Sequence, residues 1–185
     1  VQMINYLITK NLITLIIVIF ALIVLYLYAK IFKSTPLIGN FIVGFITGLS
    51  FIYGGYTLNN PHIITVGYYL GFFACLMTIA REITKDIEDI EGDKKEGART
   101  FPILYGEKPS AIITAILIVI TCALCPILYI NNIFSVYYLV IIIISVIIFL
   151  DSAILILKSQ THENCHNVSK YLNIGMLIAL VAFVV

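Results

Sequence analysis

The chain has 185 residues, of which 61% are hydrophobic and 11% charged, with a net charge of +1 and a mean hydropathy of +1.07. Soluble domains carry about 25% charged residues, so this composition excludes an ordinary soluble protein. Lipid is the expected main solvent of the chain, which makes it an integral membrane protein, and we expect no nucleic-acid partner.

Six uncharged runs recur along the chain, each near the length that a helix needs to cross the ~30 Å hydrocarbon layer. Segments with charge, Pro, Asn or Gly separate them. They are residues 12–29, 37–56, 62–79, 109–130, 135–157 and 171–185. The last run has only 15 residues, so we expect its helix to be clipped. The pattern predicts an all-α fold, a polytopic transmembrane helical bundle with six spans in these residues.

The loops between the runs differ in charge, and this difference predicts orientation. Lys and Arg in short loops are retained on the cytoplasmic side. The first, third and fifth loops hold ten of the eleven basic residues, and the opposite side holds only Lys10. We therefore expect these three loops to be cytoplasmic, in the cell membrane.

The first cytoplasmic loop follows the first run and reads YLYAKIFKSTPLIGN, residues 26–40. It places four polar side chains on the cytoplasmic side: Tyr28, Lys30, Lys33 and Asn40.

The third loop gathers seven of the ten acidic residues into positions 82–96. At 100° per residue, Glu82, Asp86, Asp89 and Asp93 lie within about 60° of one helix face. Glu88 and Glu91 point elsewhere. A stripe of like charges weakens a helix, and Mg²⁺ would relieve the repulsion, because it prefers oxygen ligands shared between carboxylates and a substrate phosphate. The alternative is a solvated amphipathic helix whose neighbouring lysines neutralise the acids.

Cations follow this stripe directly. Lys94, Lys95 and Arg99 precede the rigid sequence TFP. Lys and Arg beside carboxylates suit a metal-bridged phosphate, because the metal binds some oxygens and the cations bind the rest.

Two other features have weaker functional readings. HENCH, residues 162–166, pairs two histidines around a cysteine, but a metal site needs a second ligand pair, which the sequence does not reveal. Asp151 lies in an apolar run, where an interfacial position or pairing with Lys158 explains it better than an ion pathway. A divalent-cation transporter would need more such residues, so it stays an alternative.

Two segments resemble the UbiA superfamily of intramembrane prenyltransferases. REITKDIEDIEGDKKEGARTFPILYG, residues 81–106, looks like the second aspartate-rich motif, and YAKIFKSTPLIGN, residues 28–40, looks like the Tyr/Lys loop two spans earlier. The wording REITKDIEDIEGD is most similar to the archaeal branch that adds the second isoprenoid chain of ether lipids.

The resemblance implies a bundle of about nine helices around a membrane-embedded cavity, with Mg²⁺ at its cytoplasmic mouth. Geranylgeranyl diphosphate would be the donor and geranylgeranylglyceryl phosphate the lipid acceptor, with an aromatic acceptor as the alternative. Matching positions imply catalytic metal ligands at Asp86, Asp89 and Asp93, and substrate contacts at Lys30, Lys33, Lys94, Arg99, Asn40 and Tyr28. Glu82 is added as a metal ligand from helical geometry alone.

The chain departs from the superfamily pattern at its start. A first motif of the Asn/Asp-x-x-x-Asp type belongs on an earlier loop, yet no Asp or Glu precedes Glu82. The Tyr/Lys loop follows the fourth span in the family, so residues 12–29 would correspond to that span. We therefore expect residues 1–185 to be one transmembrane prenyltransferase domain without its N-terminal spans and first motif.

One other class of membrane enzyme fails on residue order. CDP-alcohol phosphotransferases place Asp-Gly-x-x-Ala-Arg before two further aspartates. Here GAR, residues 97–99, follows the acids, and no Asp occurs after it until Asp151.

Overall fold

A computed structural model describes residues 12–32 and 35–184. In this part of the chain the fold consists of helices and turns without a strand, which confirms the all-α prediction. The helices in chain order are α1 (Leu12–Leu27), a π-helix (Tyr28–Phe32), α2 (Ile38–Leu58), α3 (Pro61–Glu88), α4 (Ile90–Lys95), α5 (Phe101–Tyr105), α6 (Glu107–Leu124), α7 (Ile127–Ile130), α8 (Val136–Lys158) and α9 (His162–Ala182).

Five helical segments of the described chain are long and apolar enough to cross a membrane. They are Leu12–Phe32, Ile38–Leu58, Pro61–Glu88, Glu107–Ile130 and Val136–Lys158. They correspond to the first five predicted runs. The sixth run falls in the second half of α9, whose first half, HENCHNVSK, is polar. Its apolar part alone is too short to count as a span, so six were predicted and five are found among the described residues.

The chain is divided into two compact units at a boundary within α3. The first unit ends at Thr78 and the second begins at Ile79. The prediction of one prenyltransferase domain stays a prediction.

In the first unit, α2 and α3 form a hairpin with close backbone contact. Asn59 ends α2 in the left-handed conformation at φ 50°, and the Asn60 side chain accepts a hydrogen bond from the His62 N–H at 2.9 Å. Pro61 opens α3, where a missing N–H costs nothing. Gly48 and Gly71 then face each other so closely that a Cβ on Gly71 would lie 2.6 Å from the Gly48 carbonyl oxygen. Small residues let helix backbones approach in this way inside a membrane.

In the second unit, α6 and α9 both pack against α8. Ser135 and Thr161 cap the N-termini of α8 and α9 by accepting hydrogen bonds from Tyr137 N and Asn164 N. The buried Tyr138 hydroxyl donates to the Cys125 carbonyl at 2.9 Å, which ties α8 to the end of α6. The core of this unit consists of fully buried apolar side chains, among them Ile118, Leu128, Ile142, Ile156 and Leu172.

Candidate active site

The acidic segment begins on the last turns of α3, where two faces of the helix differ. Ile83, Thr84 and Ile87 are buried, and the Thr84 hydroxyl donates to the Ala80 carbonyl at 2.9 Å. Glu82 and Asp86 lie on another face and are half-buried. The buried face therefore fixes the rotation of the helix that presents these carboxylates.

The predicted continuous helix is interrupted at one residue, Asp89. Its backbone has φ −95° and ψ 10°, between α3 and α4. Hydrogen bonds nevertheless run through the break, because Asp89 N–H donates to the Lys85 carbonyl and Asp93 N–H donates to the Asp89 carbonyl, both at 2.9 Å. Helical spacing is thus kept across the segment in which the stripe was predicted.

The segment ends in a glycine-dependent stop. Gly97 has φ 73°, in the region where glycine has no steric cost. The Ala98 N–H donates to the Asp93 carbonyl at 2.9 Å and the Gly97 N–H donates to the Lys94 carbonyl at 3.2 Å. This pair of bonds is a Schellman motif. It turns the chain at Gly97, between the exposed side chains of Lys94 and Arg99 at the end of the acidic segment.

Negative charge accumulates at Asp93. Partial burial raises the pKa of its carboxyl above the usual value, and the charges of Asp89 and Glu96 raise it further. A carboxylate whose ionised form is disfavoured by its neighbours gains from a bound cation. The donor set around Asp93 therefore fits a hard divalent ion.

Glu82 has a partner on its own helix. Its Oε1 lies 2.6 Å from Nη1 of Arg81, and both side chains are about one quarter exposed. Its predicted role as a metal ligand stays a prediction.

Of the four site residues predicted in the loop of residues 26–40, three can be located. Tyr28 and Lys30 lie on the π-helix, and Asn40 is buried in the first turn of α2. The Lys30 ammonium lies 4.8 Å from the centroid of the Tyr26 ring, a cation–π contact. Lys33 lies outside the described residues. These residues belong to the unit that ends at Thr78, and the acidic segment belongs to the other unit.

Two backbone features of this loop were not predicted. A π-helical turn is rare and frequently marks a functional site. Leu37, directly before α2, has φ 60°, which is uncommon for a residue other than glycine and is often associated with functional strain. Pro36, directly before Leu37, is typical of a turn, but nothing in these residues predicts a π-helix or a positive φ at a leucine.

A contact missed by sequence reasoning joins the acidic segment to α9. Nδ1 of His166 lies 2.7 Å from Oε1 of Glu88. Among the described residues, the group of three or more possible metal donors that lie close together is Glu88, Asp89 and His162. HENCH carried a sequence signal, but the pairing could not be read from it, because His166 follows Glu88 at a sequence separation of 78.

Asp151 is exposed on α8. Within the described residues it forms no ion pair with Lys158, since the two ion pairs found there are Arg81–Glu82 and Glu88–His166. Pairing with Lys158 is therefore wrong as an explanation, and an interfacial position stays a prediction.

Five apolar helices with a charged segment of carboxylates and cations at the end of one of them define an integral membrane protein of the polytopic α-helical class. The model of the UbiA prenyltransferase family matches residues 3–180, and the chain belongs to this family. The resemblance inferred from the two loop segments, residues 28–40 and 81–106, is thereby confirmed.

Two similar proteins from other organisms are both described as digeranylgeranylglyceryl phosphate synthases. The chain is 61% identical over 169 residues to the digeranylgeranylglyceryl phosphate synthase of Methanobrevibacter smithii, covering 91% of this chain and 59% of that protein. It is 52% identical to the synthase of the same description from Methanosphaera stadtmanae, covering 91% of this chain and 61% of the relative. The chain thus spans about three fifths of the length of these relatives.

A solved structure from work on digeranylgeranylglyceryl phosphate synthase in membranes is also similar. It superposes with a TM-score of 0.85 at 42% sequence identity, over 92% of this chain and 60% of that one. The helical arrangement described above therefore has an experimentally determined counterpart.

Proposed function

We propose that the protein is a Mg²⁺-dependent prenyltransferase that moves a geranylgeranyl group from geranylgeranyl diphosphate to the hydroxyl of geranylgeranylglyceryl phosphate, in the formation of archaeal ether lipids. The observation that carries this proposal is the 61% identity to a protein described as digeranylgeranylglyceryl phosphate synthase. The acidic segment with its flanking cations supplies the matching chemistry, and a cation transporter lacks comparable support.

The metal ligands in this proposal are Asp86, Asp89 and Asp93. Their oxygen donors suit Mg²⁺, which is typically held by one or two carboxylates, several waters and substrate phosphate. Partial burial raises the pKa of the Asp93 carboxyl and the charges of Asp89 and Glu96 raise it further, so a bound cation would favour its ionised form. Bound there, Mg²⁺ would neutralise charge that develops on the diphosphate leaving group.

The cations in this proposal bind the remaining phosphate oxygens. Arg99 offers a planar fork suited to two phosphate oxygens, whereas Lys94 acts as a point charge. The Schellman turn at Gly97 and the helix that begins at Phe101 fix the chain on both sides of Arg99. Lys30 and Lys33 are proposed as further diphosphate contacts, and Tyr28 and Asn40 as substrate contacts in the same loop.

Prenyl transfer then follows from charge and solvent exclusion. As the bond between the allylic carbon and the diphosphate breaks, fixed cations stabilise the growing negative charge on the leaving group. The acceptor hydroxyl attacks the allylic carbon and loses its proton. Water would react with the same carbon, so the apolar helices must exclude it.

The two candidate acceptors differ in charge and therefore in how many cations the site must provide. A glyceryl phosphate lipid brings a second anionic group to a site already occupied by diphosphate, whereas a phenol brings none. Lys85, Lys94, Lys95 and Arg99 lie on or beside the acidic segment, which favours the phosphorylated acceptor. We place this segment on the cytoplasmic side of the cell membrane, because the loops with most basic residues are retained there.

A prenyl-transfer assay tests the proposal on the protein expressed from its complete gene. Radiolabelled geranylgeranyl diphosphate is offered with Mg²⁺ and either geranylgeranylglyceryl phosphate or a phenolic acceptor. We expect label in the glyceryl phosphate product, loss of transfer in Asp89→Ala, and near-normal transfer in Glu91→Ala, whose exposed carboxylate points away from the stripe. Transfer to the phenol alone, or full activity of Asp89→Ala, would contradict the proposal.

A further inference from the structure

The end of α3 meets the beginning of α9 through a histidine–carboxylate contact. Nδ1 of His166 lies 2.7 Å from Oε1 of Glu88, and the Glu88 side chain is only 11% exposed, against 48% for His166. Only one of the two Glu88 oxygens takes part in this contact. Among the residues that the structure describes, no hydrogen bond or ion pair is found for the other oxygen, so it can bind a further ligand.

Two more potential donors converge on the same place. One donor atom each from Glu88, Asp89 and His162 lies within 4.8 Å of the others. His162 and His166 stand one helical turn apart on α9, with ring centroids 6.5 Å apart. Glu88 and Asp89 thus lie beside His162 as the second pair of possible donors that the sequence alone did not reveal.

The charge balance of this cluster favours a cation. Two carboxylates lie side by side, and within the described part of the chain neither forms an ion pair with a Lys or Arg. The contact with His166 involves Glu88 alone. A divalent ion would compensate both carboxylates at once, which a single imidazolium cannot do.

The donor types select the kind of ion. One imidazole nitrogen and two carboxylate oxygens suit Zn²⁺, Co²⁺ and similar transition metals, whereas Mg²⁺ prefers oxygen ligands alone. Zn²⁺ binds such donors at ~2.0–2.2 Å, so tetrahedral ligand atoms lie about 3.4 Å apart. From separations of at most 4.8 Å, side-chain rotation of the exposed Asp89 and His162 can close the site.

Cys165 lies between the two histidines in sequence and is not one of these donors. Burial raises the pKa of its thiol to about 12, with further contributions from the charges of Glu88 and Glu107. The thiolate, which is the form that binds metals, is therefore disfavoured at neutral pH.

We propose that Glu88, Asp89 and His162 form a binding site for a divalent transition-metal ion of the Zn²⁺ or Co²⁺ type, with His166 orienting the Glu88 carboxylate. Hydrogen-bonded partners of this kind fix the direction of a metal ligand. The site is distinct from the Asp86–Asp93 stripe in using imidazole, and the two share only Asp89. If the proposed function holds, an ion bound here withdraws Asp89 from Mg²⁺ and inhibits prenyl transfer.

A Co²⁺ titration tests binding without any substrate. The protein expressed from its complete gene is purified in detergent without Mg²⁺, because Mg²⁺ would compete for the shared Asp89, and Co²⁺ binding is followed by visible absorption. We expect a band that saturates at about one equivalent of Co²⁺, with an intensity typical of four or five ligands. His162→Ala should weaken this binding by more than about tenfold, because it removes a ligand. His166→Ala should weaken it by about tenfold, because loss of a partner that orients a metal ligand typically has an effect of this size.

His62→Ala is the matched control, because His62 is an exposed histidine at the beginning of α3, in the other unit. It should leave the Co²⁺ band unchanged. Circular dichroism verifies that each variant keeps its helices. An absent band in the wild-type protein, or equal bands in His162→Ala and His62→Ala, would overturn the site. Both results are independent of prenyl transfer, so the proposed function can fail or hold separately.

Discussion

At the scale of single residues, Asp93, which we propose as a metal ligand, lies in an electrostatically unfavourable position. Its carboxylate lies near Asp89 and Glu96 and is partly buried, and all three influences raise its pKa. Since a raised pKa means that the fold favours the protonated form, Asp93 stabilises the fold at low pH. That contribution is lost as the pH rises through the pKa of the folded state.

Asp93→Asn should therefore raise the melting temperature at neutral pH when divalent ions are removed by a chelator. The gain should be at most a few degrees, because the carboxyl is only partly buried and water screens its repulsion. The difference between wild type and variant should shrink as the pH falls toward the ordinary aspartate value, about 4. Thermal melts followed by circular dichroism over this pH range measure it.

Adding Mg²⁺ should reverse the order of the two proteins. A ligand that binds the native state stabilises it by mass action, and the wild type has the carboxylate that Asp93→Asn lacks. A wild-type protein that melts higher than the variant in chelator, with no further shift in Mg²⁺, would show that Asp93 neither repels its neighbours nor binds the ion.

At the scale of helices, glycine positions decide how closely α2 and α3 approach. A Cβ on Gly55 would lie 3.0 Å from the Ile63 carbonyl oxygen, and one on Gly67 would lie 3.0 Å from the Phe51 carbonyl oxygen. These neighbours are backbone atoms, which cannot rotate away. Gly54 also lies on α2, but a Cβ added there would meet nothing within 4 Å.

Gly48→Ala should destabilise the protein, because its Cβ would collide with the Gly71 carbonyl and force the helices apart. Overpacking of this kind costs roughly 1–3 kcal/mol. Gly54→Ala is the matched control on the same helix, and it should be neutral or slightly stabilising, because alanine is the better helix former. Melting temperatures in one detergent compare them, and equal values would mean that α2 and α3 are not in backbone contact.

At the scale of the whole molecule, the distribution of charge predicts a topology. Ten of the eleven basic residues lie in alternate loops, and five helical segments of the described chain are suited to crossing the membrane. Since the proposed substrates carry phosphate groups, the acidic segment should face the compartment that supplies them. The positive-inside rule assigns that side to the cytoplasm.

Trypsin should therefore cut after Lys94, Lys95 or Arg99 in inside-out membrane vesicles and leave this segment intact in sealed right-side-out vesicles. All three side chains are exposed. Mass spectrometry of the fragments identifies the cleaved bonds, and detergent-opened vesicles show that the sites are cleavable in either preparation. Cleavage restricted to right-side-out vesicles would place the acidic segment on the outer side.

The sequence by itself determined the features that depend on local composition. Five apolar runs are helical, because membrane thickness and backbone hydrogen bonding leave an apolar run few other structures. The ends of these helical segments lie within a few residues of the predicted bounds, except that α3 continues past residue 79 to Glu88, into the acidic segment. The spacing of the carboxylates predicted helical backbone around Asp89, since helical periodicity is a local property, and the hydrogen bonds through Asp89 agree with it. The two loop motifs were enough to indicate the family.

Tertiary structure decided what depends on residues distant in sequence. His166 meets Glu88 only because α9 packs against α8 and returns to the end of α3, and no periodicity in HENCH or in the acidic segment encodes that meeting. The polar first half of α9, which contains His162 and His166, belongs to this junction. Likewise, the sequence shows glycines throughout α2, but only the packing of α3 distinguishes Gly48, which has a backbone against it, from Gly54, which has open space.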